Sequence, residues 1–254
     1  MNGGPCCLCG KYGPLTFEHI PPRRCFNNGI VEVMDIAVYG VRNKYNPDAP
    51  PRQYRTGFKV PSLCVDCNGK TAKWYGDAFA SWTTQAMRFL ERIPTDVADG
   101  LYLPFNIEPL KVAKQVAVMM AAVARGLIHQ SLRMFVLNPR QRGFPAEYSI
   151  FCYFVPLPAA GGPTNATVTA NAFKMKLGCG IQVHIVAEVS IPPLGYCMVA
   201  HEGNWQREVS QQNLCDITWF ANCGWGVQRD LFIKIQIVSQ FKFLQTIICG
   251  RVKH

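Results

Sequence analysis

Two pairs of cysteines with the same spacing constrain this chain more than any other feature of its sequence. Cys6 and Cys9 form one CxxC pair, Cys64 and Cys67 form the other, and residues 10–63 lie between the pairs. In a reducing compartment, two such pairs are the usual ligand set of a tetrahedral structural zinc ion. The spacing therefore predicts a Zn²⁺ ion that joins two distant segments. The alternative is that the four thiols are buried separately.

The N-terminal segment indicates which compartment to expect. It has no basic stretch followed by an apolar one, so no secretory signal peptide is visible. We therefore expect a cytoplasmic protein whose twelve cysteines are metal ligands and thiols. Cysteines after the second pair are interpreted as core thiols; the alternative is a second metal site formed by Cys215, Cys223 and His201.

Charge indicates a class of partner. The net charge is +10, which favours a polyanion, either nucleic acid or an anionic membrane surface. The alternative is a basic surface that serves solubility alone. The most apolar stretch, 115–124, is far shorter than the roughly 20 residues that cross a bilayer. We expect it to form a buried helix and expect no membrane partner.

Hydrophobic periodicity predicts an α+β protein in two parts. Apolar residues recur at helical spacing over 68–92, and a second helix, apolar nearly all round, is predicted over 108–128. Pro94 and the residues after it are the best candidate linker. Later segments rich in β-branched and aromatic residues predict an antiparallel sheet, with strands over 149–155, 167–175, 181–191, 196–200 and 231–238. The domains are therefore predicted as 1–93 and 94–254.

An acid–histidine pair lies between the two cysteine pairs. Glu18 and His19 are followed by Ile-Pro-Pro, and Asn68 follows the second CxxC directly. In this order of motifs the chain resembles the HNH (ββα-metal) endonucleases over roughly residues 5–80. The resemblance implies a zinc-stapled ββα-metal nuclease module. It also implies that His19 is the general base, and that Glu18 and Asn68 hold a catalytic Mg²⁺ or Mn²⁺.

The same roles agree with elementary chemistry. A neutral imidazole can take a proton from water, and oxygen ligands suit Mg²⁺ or Mn²⁺. Adjacent residues of a strand point to opposite faces, so Glu18 and His19 can serve one phosphate only if the backbone bends or the metal lies at the strand edge. A lone histidine is more often structural, but the neighbouring motifs favour catalysis for His19.

The sequence departs from the family pattern at one place. Many members carry a central asparagine that braces the loop bearing the base, and the window 55–63 contains none. Asp77 is a candidate extra metal ligand; the alternative is a solvated acid on a helix.

Basic residues near these motifs predict a nucleic-acid surface. Arg23, Arg24 and Lys70 could hold phosphates. The loop 42–59 interleaves basic and aromatic residues, including Arg52 and Arg55, which suits backbone tracking with base stacking. The alternatives are a solvated basic rim and a plain surface loop.

The function predicted from these observations is hydrolysis of phosphodiester bonds in DNA by an HNH endonuclease, with RNA not excluded. A role in prokaryotic defence is one context for such an enzyme. The main rival is a non-catalytic zinc-knuckle module that binds nucleic acid. A third hypothesis makes residues 94–254 the main actor, through substrate binding, ligand sensing or homo-oligomer formation.

Overall fold

The computed structural model describes residues 3–34, 52–93, 100–124, 128–158, 164–169, 173–176, 182–200 and 214–237. In these residues three α-helices, one mostly antiparallel eight-stranded sheet and three two-stranded antiparallel ribbons form the fold. The predicted mixed class with antiparallel sheets is therefore confirmed. The predicted linker, the first part of the loop 42–59, and His201 lie outside the described residues.

The first part of the chain contains a short hairpin and a second antiparallel pair of strands, which we call the β3–β6 hairpin. Strands β1 (Gly3–Pro5) and β2 (Tyr12–Pro14) pair around the first cysteine pair. Strand β3 (Thr16–His19) pairs antiparallel with β6 (Lys59–Leu63), although the two are far apart in sequence. Helix α1 (Val65–Leu90) begins directly after β6. The local order is thus strand, strand, helix, and residues 20–58 form a long insertion between the two strands.

Helix α1 carries the apolar stripe that its sequence predicts. Tyr75, Phe79, Trp82 and Ala86 are fully buried at spacings of three or four residues, so this face packs on the core. The helix begins three residues earlier than predicted, because Cys64 occupies the N-cap position. The start of the helix is therefore part of the second cysteine pair.

Helix α2 (Pro109–Ala124) is the centre of the core. All its residues except Lys111 are buried, as expected for a helix that is apolar nearly all round. A third helix, α3 (Gln130–Leu137), was not predicted. The Lys114 ammonium donates to the carbonyl oxygens of Phe135 and Asn138, so this buried lysine satisfies the C-terminal end of α3.

The main sheet has eight strands and crosses the predicted domain boundary. Its path runs β13, β8, β12, β11, β9, β4, β5, with β10 also paired to β11. All its neighbours are antiparallel except β4 and β9, which are parallel. The strands are β4 (Val31–Met34), β5 (Arg52–Tyr54), β8 (Tyr148–Phe154), β9 (Thr164–Thr169), β10 (Phe173–Lys176), β11 (Gln182–Ile191), β12 (Leu194–Ala200) and β13 (Cys215–Asp216).

Two further strands form a ribbon beside this sheet. Strand β7 (Leu101–Ile107) pairs antiparallel with β14 (Arg229–Ile235). A short 3-10 helix covers Thr218–Asn222. Because β4 and β5 come from the first part of the chain and join strands of the second, one hydrophobic core contains both parts. The division at residue 93 stays a prediction.

Each of the five predicted spans overlaps a strand, but β7 and β13 were not predicted, and β14 belongs to the separate ribbon with β7. The span predicted as one strand over 167–175 contains two, β9 and β10, which pair with different stretches of β11. No helix among the described residues has the length and apolar character needed to cross a membrane.

Candidate functional site

The four cysteines of the two CxxC pairs lie together. Their sulfur atoms are all within 4.8 Å of one another, and the Sγ atoms of Cys9 and Cys64 are 3.8 Å apart. A tetrahedral ion with Zn–S distances of about 2.3 Å sets sulfur–sulfur separations of about 3.8 Å. Cys6, Cys9, Cys64 and Cys67 therefore form a tetrad that could hold zinc. The alternative of four separately buried thiols is wrong.

Local backbone geometry builds each half of the tetrad. In the first half, the amide of Gly10 donates to the carbonyl of Cys6 (2.9 Å), and Gly10 has a φ of 74°, which favours glycine. In the second half, the amide of Asn68 donates to the carbonyl of Cys64 (3.0 Å) within the first turn of α1. Two tight turns thus present two sulfurs each.

The electrostatics of the tetrad suit a cation. Burial acts to raise the pKa of Cys6, but backbone amides around it, including those of Cys64 and Cys9, outweigh this and lower the pKa to about 7. Burial and the neighbouring cysteines raise the pKa of Cys67. Four thiolates cannot coexist without a compensating positive charge, and bound zinc supplies that charge while displacing the protons.

His19 lies at the end of β3, on a partly exposed face. Its Nε2 atom is 3.2 Å from the carbonyl oxygen of Thr56. Burial lowers the pKa of His19, the Thr56 carbonyl opposes this, and the charges of Lys59 and Arg23 lower it further. Taken together, these effects favour the neutral imidazole, the form that can accept a proton.

Glu18 points away from His19. The two residues pair in regular register with Val60 and Lys59, so their side chains lie on opposite faces of the hairpin. Glu18 is only 8% exposed, and burial raises its pKa to about 7. Within the described part of the chain β3 pairs with β6 alone, so its other edge carries no strand.

Asn68 is held beside β3 by a hydrogen bond. Its Nδ2 atom donates to Oγ1 of Thr16 (2.9 Å), and Thr16 donates in turn to the carbonyl of Leu63 (2.8 Å). The Asn68 side chain therefore connects the start of α1 with both strands of the hairpin. Its amide oxygen is a neutral oxygen donor of the kind that binds Mg²⁺.

Asn27 is a structural residue that the sequence analysis missed. It is fully buried, and its Nδ2 donates to the carbonyls of Pro21 (2.7 Å) and Phe58 (2.9 Å). Its Oδ1 accepts from the amide of Phe58 (2.7 Å). Gly57 (φ 83°) lies so close to Asn27 that a Cβ there would be 2.1 Å from the Asn27 carbonyl oxygen.

Asn27 thus ties the loop after His19 to the residue before β6. The sequence signal for it was weak: Asn27-Asn28-Gly29 is typical of a turn. Only the long-range pairing of β3 with β6 shows that Asn27 is buried between the loop after His19 and the residue before β6.

The basic residues proposed to bind phosphate fall into two groups. Arg23, Lys70, Arg52 and Arg55 are exposed, while Arg24 is half-exposed and forms an ion pair with Asp77 on α1. The Arg24 guanidinium also covers Gly76, where a Cβ would be 2.6 Å from Nη2. Arg24 and Asp77 therefore already have partners in each other, which argues against Asp77 as an extra metal ligand.

No family model matches the chain, and no curated protein and no solved structure is significantly similar to it.

Proposed function

We propose that this chain is a metal-dependent phosphodiesterase that cleaves nucleic acid, with DNA as the expected substrate. The observation that carries the proposal is that the cysteine tetrad joins the segment before β3 to the junction of β6 with α1. The unit of β3, β6 and α1 carries the acid–histidine pair on its first strand and Asn68 on its helix. The resemblance to HNH endonucleases rests on the same order of motifs and supports the proposal.

His19 is assigned the role of general base. Its neutral imidazole lies on the accessible face of the hairpin, and its hydrogen bond to the Thr56 carbonyl orients the ring. The buried Asn27 fixes the backbone on both sides of this interaction, since it bonds to Pro21 and Phe58. A base held in this way loses little conformational entropy when the substrate binds.

Glu18 and Asn68 are assigned as the protein ligands of a Mg²⁺ or Mn²⁺ ion. Their donor set fits: Glu18 offers a carboxylate that burial makes costly to ionise unless a cation is present, and Asn68 uses its nitrogen on Thr16, which leaves its oxygen for a metal. When bound, such an ion neutralises charge on the phosphoryl group. Because Glu18 and His19 point to opposite faces, one phosphate can meet both only at the open edge of β3.

A cleavage assay tests the proposal. The purified protein is incubated with supercoiled DNA, single-stranded DNA and RNA, with Mg²⁺ or Mn²⁺, and the zinc content of the same sample is measured. We expect nicking or cutting that His19→Ala reduces by at least about 100-fold without loss of zinc. Glu18→Gln and Asn68→Ala should raise the metal concentration needed for activity.

His129→Ala is the matched control, because His129 is an exposed histidine paired with Glu147 and far from β3 in sequence. It should leave cleavage unchanged. If no divalent ion supports cleavage, and the wild type and His19→Ala bind DNA equally, the chain is instead a non-catalytic zinc module that binds nucleic acid.

A further inference from the structure

One face of the β3–β6 hairpin carries an exposed aromatic ring next to the proposed base. Phe17 and His19 are two residues apart on β3, and their cross-strand partners are Pro61 and Lys59, so these four side chains share a face. Phe17 is 51% exposed. The face opposite holds the buried Glu18.

A cation accompanies the ring. The Lys59 ammonium lies 5.4 Å from the centroid of the Phe17 ring and 3.4 Å from Oγ1 of Thr56. The carbonyl of the same Thr56 contacts His19. Lys59 therefore connects the ring to Thr56, the residue whose carbonyl contacts His19, and the exposed Arg23 adds positive charge nearby.

A nucleotide with an unpaired base complements the Phe17 ring and the Lys59 ammonium chemically. A phosphate is attracted to the ammonium, and the flat face of an unpaired base stacks on an exposed phenyl ring. Bases in a duplex are stacked on each other and do not offer a free face, whereas a single strand or an unpaired nucleotide does.

We infer that Phe17 is a stacking platform for an unpaired base, and that the phosphate next to this base contacts Lys59. The inference rests on the proposed function and adds its substrate form, which is single-stranded or locally unpaired nucleic acid. Phe17 acts by positioning the strand, and Lys59 supplies the phosphate contact that does not depend on the base.

Binding is measured on the full chain in the His19→Ala background, without Mg²⁺ or Mn²⁺, so that no strand is cut. The probes are labelled oligothymidylate, oligouridylate, an abasic strand of the same length, and duplex DNA. Phe17→Leu keeps an apolar side chain but removes the flat ring. We expect it to weaken binding of the base-containing strands about tenfold and to leave abasic and duplex binding unchanged.

Two matched variants separate stacking from general surface effects. Phe232→Leu removes a ring that is 76% exposed on β14, away from the hairpin, and should not change binding of any probe. Lys59→Gln should weaken the base-containing and abasic strands alike and reduce the dependence of affinity on salt. Phe17→Trp should restore or exceed the parent affinity, because it keeps a larger stacking surface.

The results can overturn the inference and the proposed function separately. If Phe17→Leu binds every probe as the parent does, the stacking platform does not exist, even if the wild type cleaves DNA. If binding depends on Phe17 but no strand is cut with any divalent ion, the stacking surface stands and the proposed hydrolysis fails. Dependence on Phe17 for either strand supports the platform, and the tighter of the two shows which of these strands the surface prefers.

Discussion

The cysteine tetrad and helix α2 are the centres of two regions that are held together by different forces. Around the tetrad, β1, β2 and β3 are three or four residues long, and exposed residues such as Tyr12 and Phe17 alternate with buried ones. Around α2, nearly every side chain is buried, from the helix to strands β8 and β12. The first region has few apolar contacts and contains a cysteine tetrad that could hold zinc, whereas the second depends on many weak apolar contacts.

This difference explains where a chemical site can be placed. An apolar core excludes water and has no room for a substrate, while a short hairpin held by a metal and by hydrogen bonds can expose polar side chains without unfolding. His19, Asn68 and Lys59 all lie in the first region, and Asn68 directly follows the tetrad residue Cys67. The larger core supplies α1 with a fixed position, because its apolar stripe packs there.

Loss of one zinc ligand should separate the two regions most strongly. Cys64→Ser removes a thiolate but keeps a side chain that can cap α1, so the helix start is not directly damaged. Structural zinc binding is worth on the order of 10 kcal/mol, and we expect Cys64→Ser to lose zinc and to lose hydrogen-exchange protection in β1, β2 and β3 while β8, β11 and β12 stay protected.

The control for Cys64→Ser is Cys7→Ala, which changes a buried cysteine between two ligands but keeps the tetrad. It should retain one zinc ion per chain. A Cys64→Ser protein with full zinc content and unchanged exchange in β3 would contradict the tetrad.

A cavity in the core around α2 should lower the free energy of unfolding without changing the zinc content. Met120→Ala removes a fully buried side chain from α2 and should lower the free energy of unfolding by about 3.5 kcal/mol, because buried methionine-to-alanine changes leave a cavity. Urea unfolding measures the loss, and the zinc content of the folded protein should not change. Met134→Ala, at a methionine that is 53% exposed on α3, should cost less than about 1 kcal/mol.

Glu188 should make the free energy of unfolding depend on pH. This carboxyl is fully buried, accepts a hydrogen bond from the Tyr153 hydroxyl, and burial raises its pKa from 4.5 to about 7. Its folded-state pKa exceeds the unfolded one, so its favourable contribution is complete below pH 4.5 and is lost as the pH rises through 7. Relative to Glu188→Gln, the wild type should lose about 3 kcal/mol over that range.

Unfolding of the two proteins at several pH values tests this statement, since comparing them removes the contributions of other titrating groups. Glu91→Gln, at an exposed position after α1, should run parallel to the wild type. Parallel curves for the wild type and Glu188→Gln would show that the folded protein holds Glu188 at an ordinary pKa.

The smallest loss of stability is expected for a change at Asn27, in the loop after His19. Asn27→Ala removes three hydrogen bonds to the backbone of Pro21 and Phe58 and leaves buried polar groups unpaired, so we expect a loss of about 2 kcal/mol. Faster hydrogen exchange at Phe58 would locate the loss, and Asn28→Ala, at the exposed neighbour, should show neither effect. An unchanged exchange rate at Phe58 in Asn27→Ala would mean that the loop is held by other contacts.

Several elements could be predicted because their signals are local. Helical spacing of apolar residues identified α1 and α2, and alternating β-branched and aromatic segments identified β8, β11, β12 and β14 to within a few residues. Helix α3 was missed because its eight residues are too few to show a clear period. The two strands β9 and β10 were merged because the sequence between them has no strong turn signal.

By itself, the sequence determined the cysteine tetrad, since the CxxC spacing supplies two ligands from each turn and four thiolates require a cation. Tertiary structure alone decided that β4 and β5 join the large sheet, that Glu18 and His19 face opposite ways, and that Asn27 braces the loop. It also placed Lys59 beside Phe17. The reason is physical: these contacts depend on the register of strands that are distant in sequence, and register is set by the whole core.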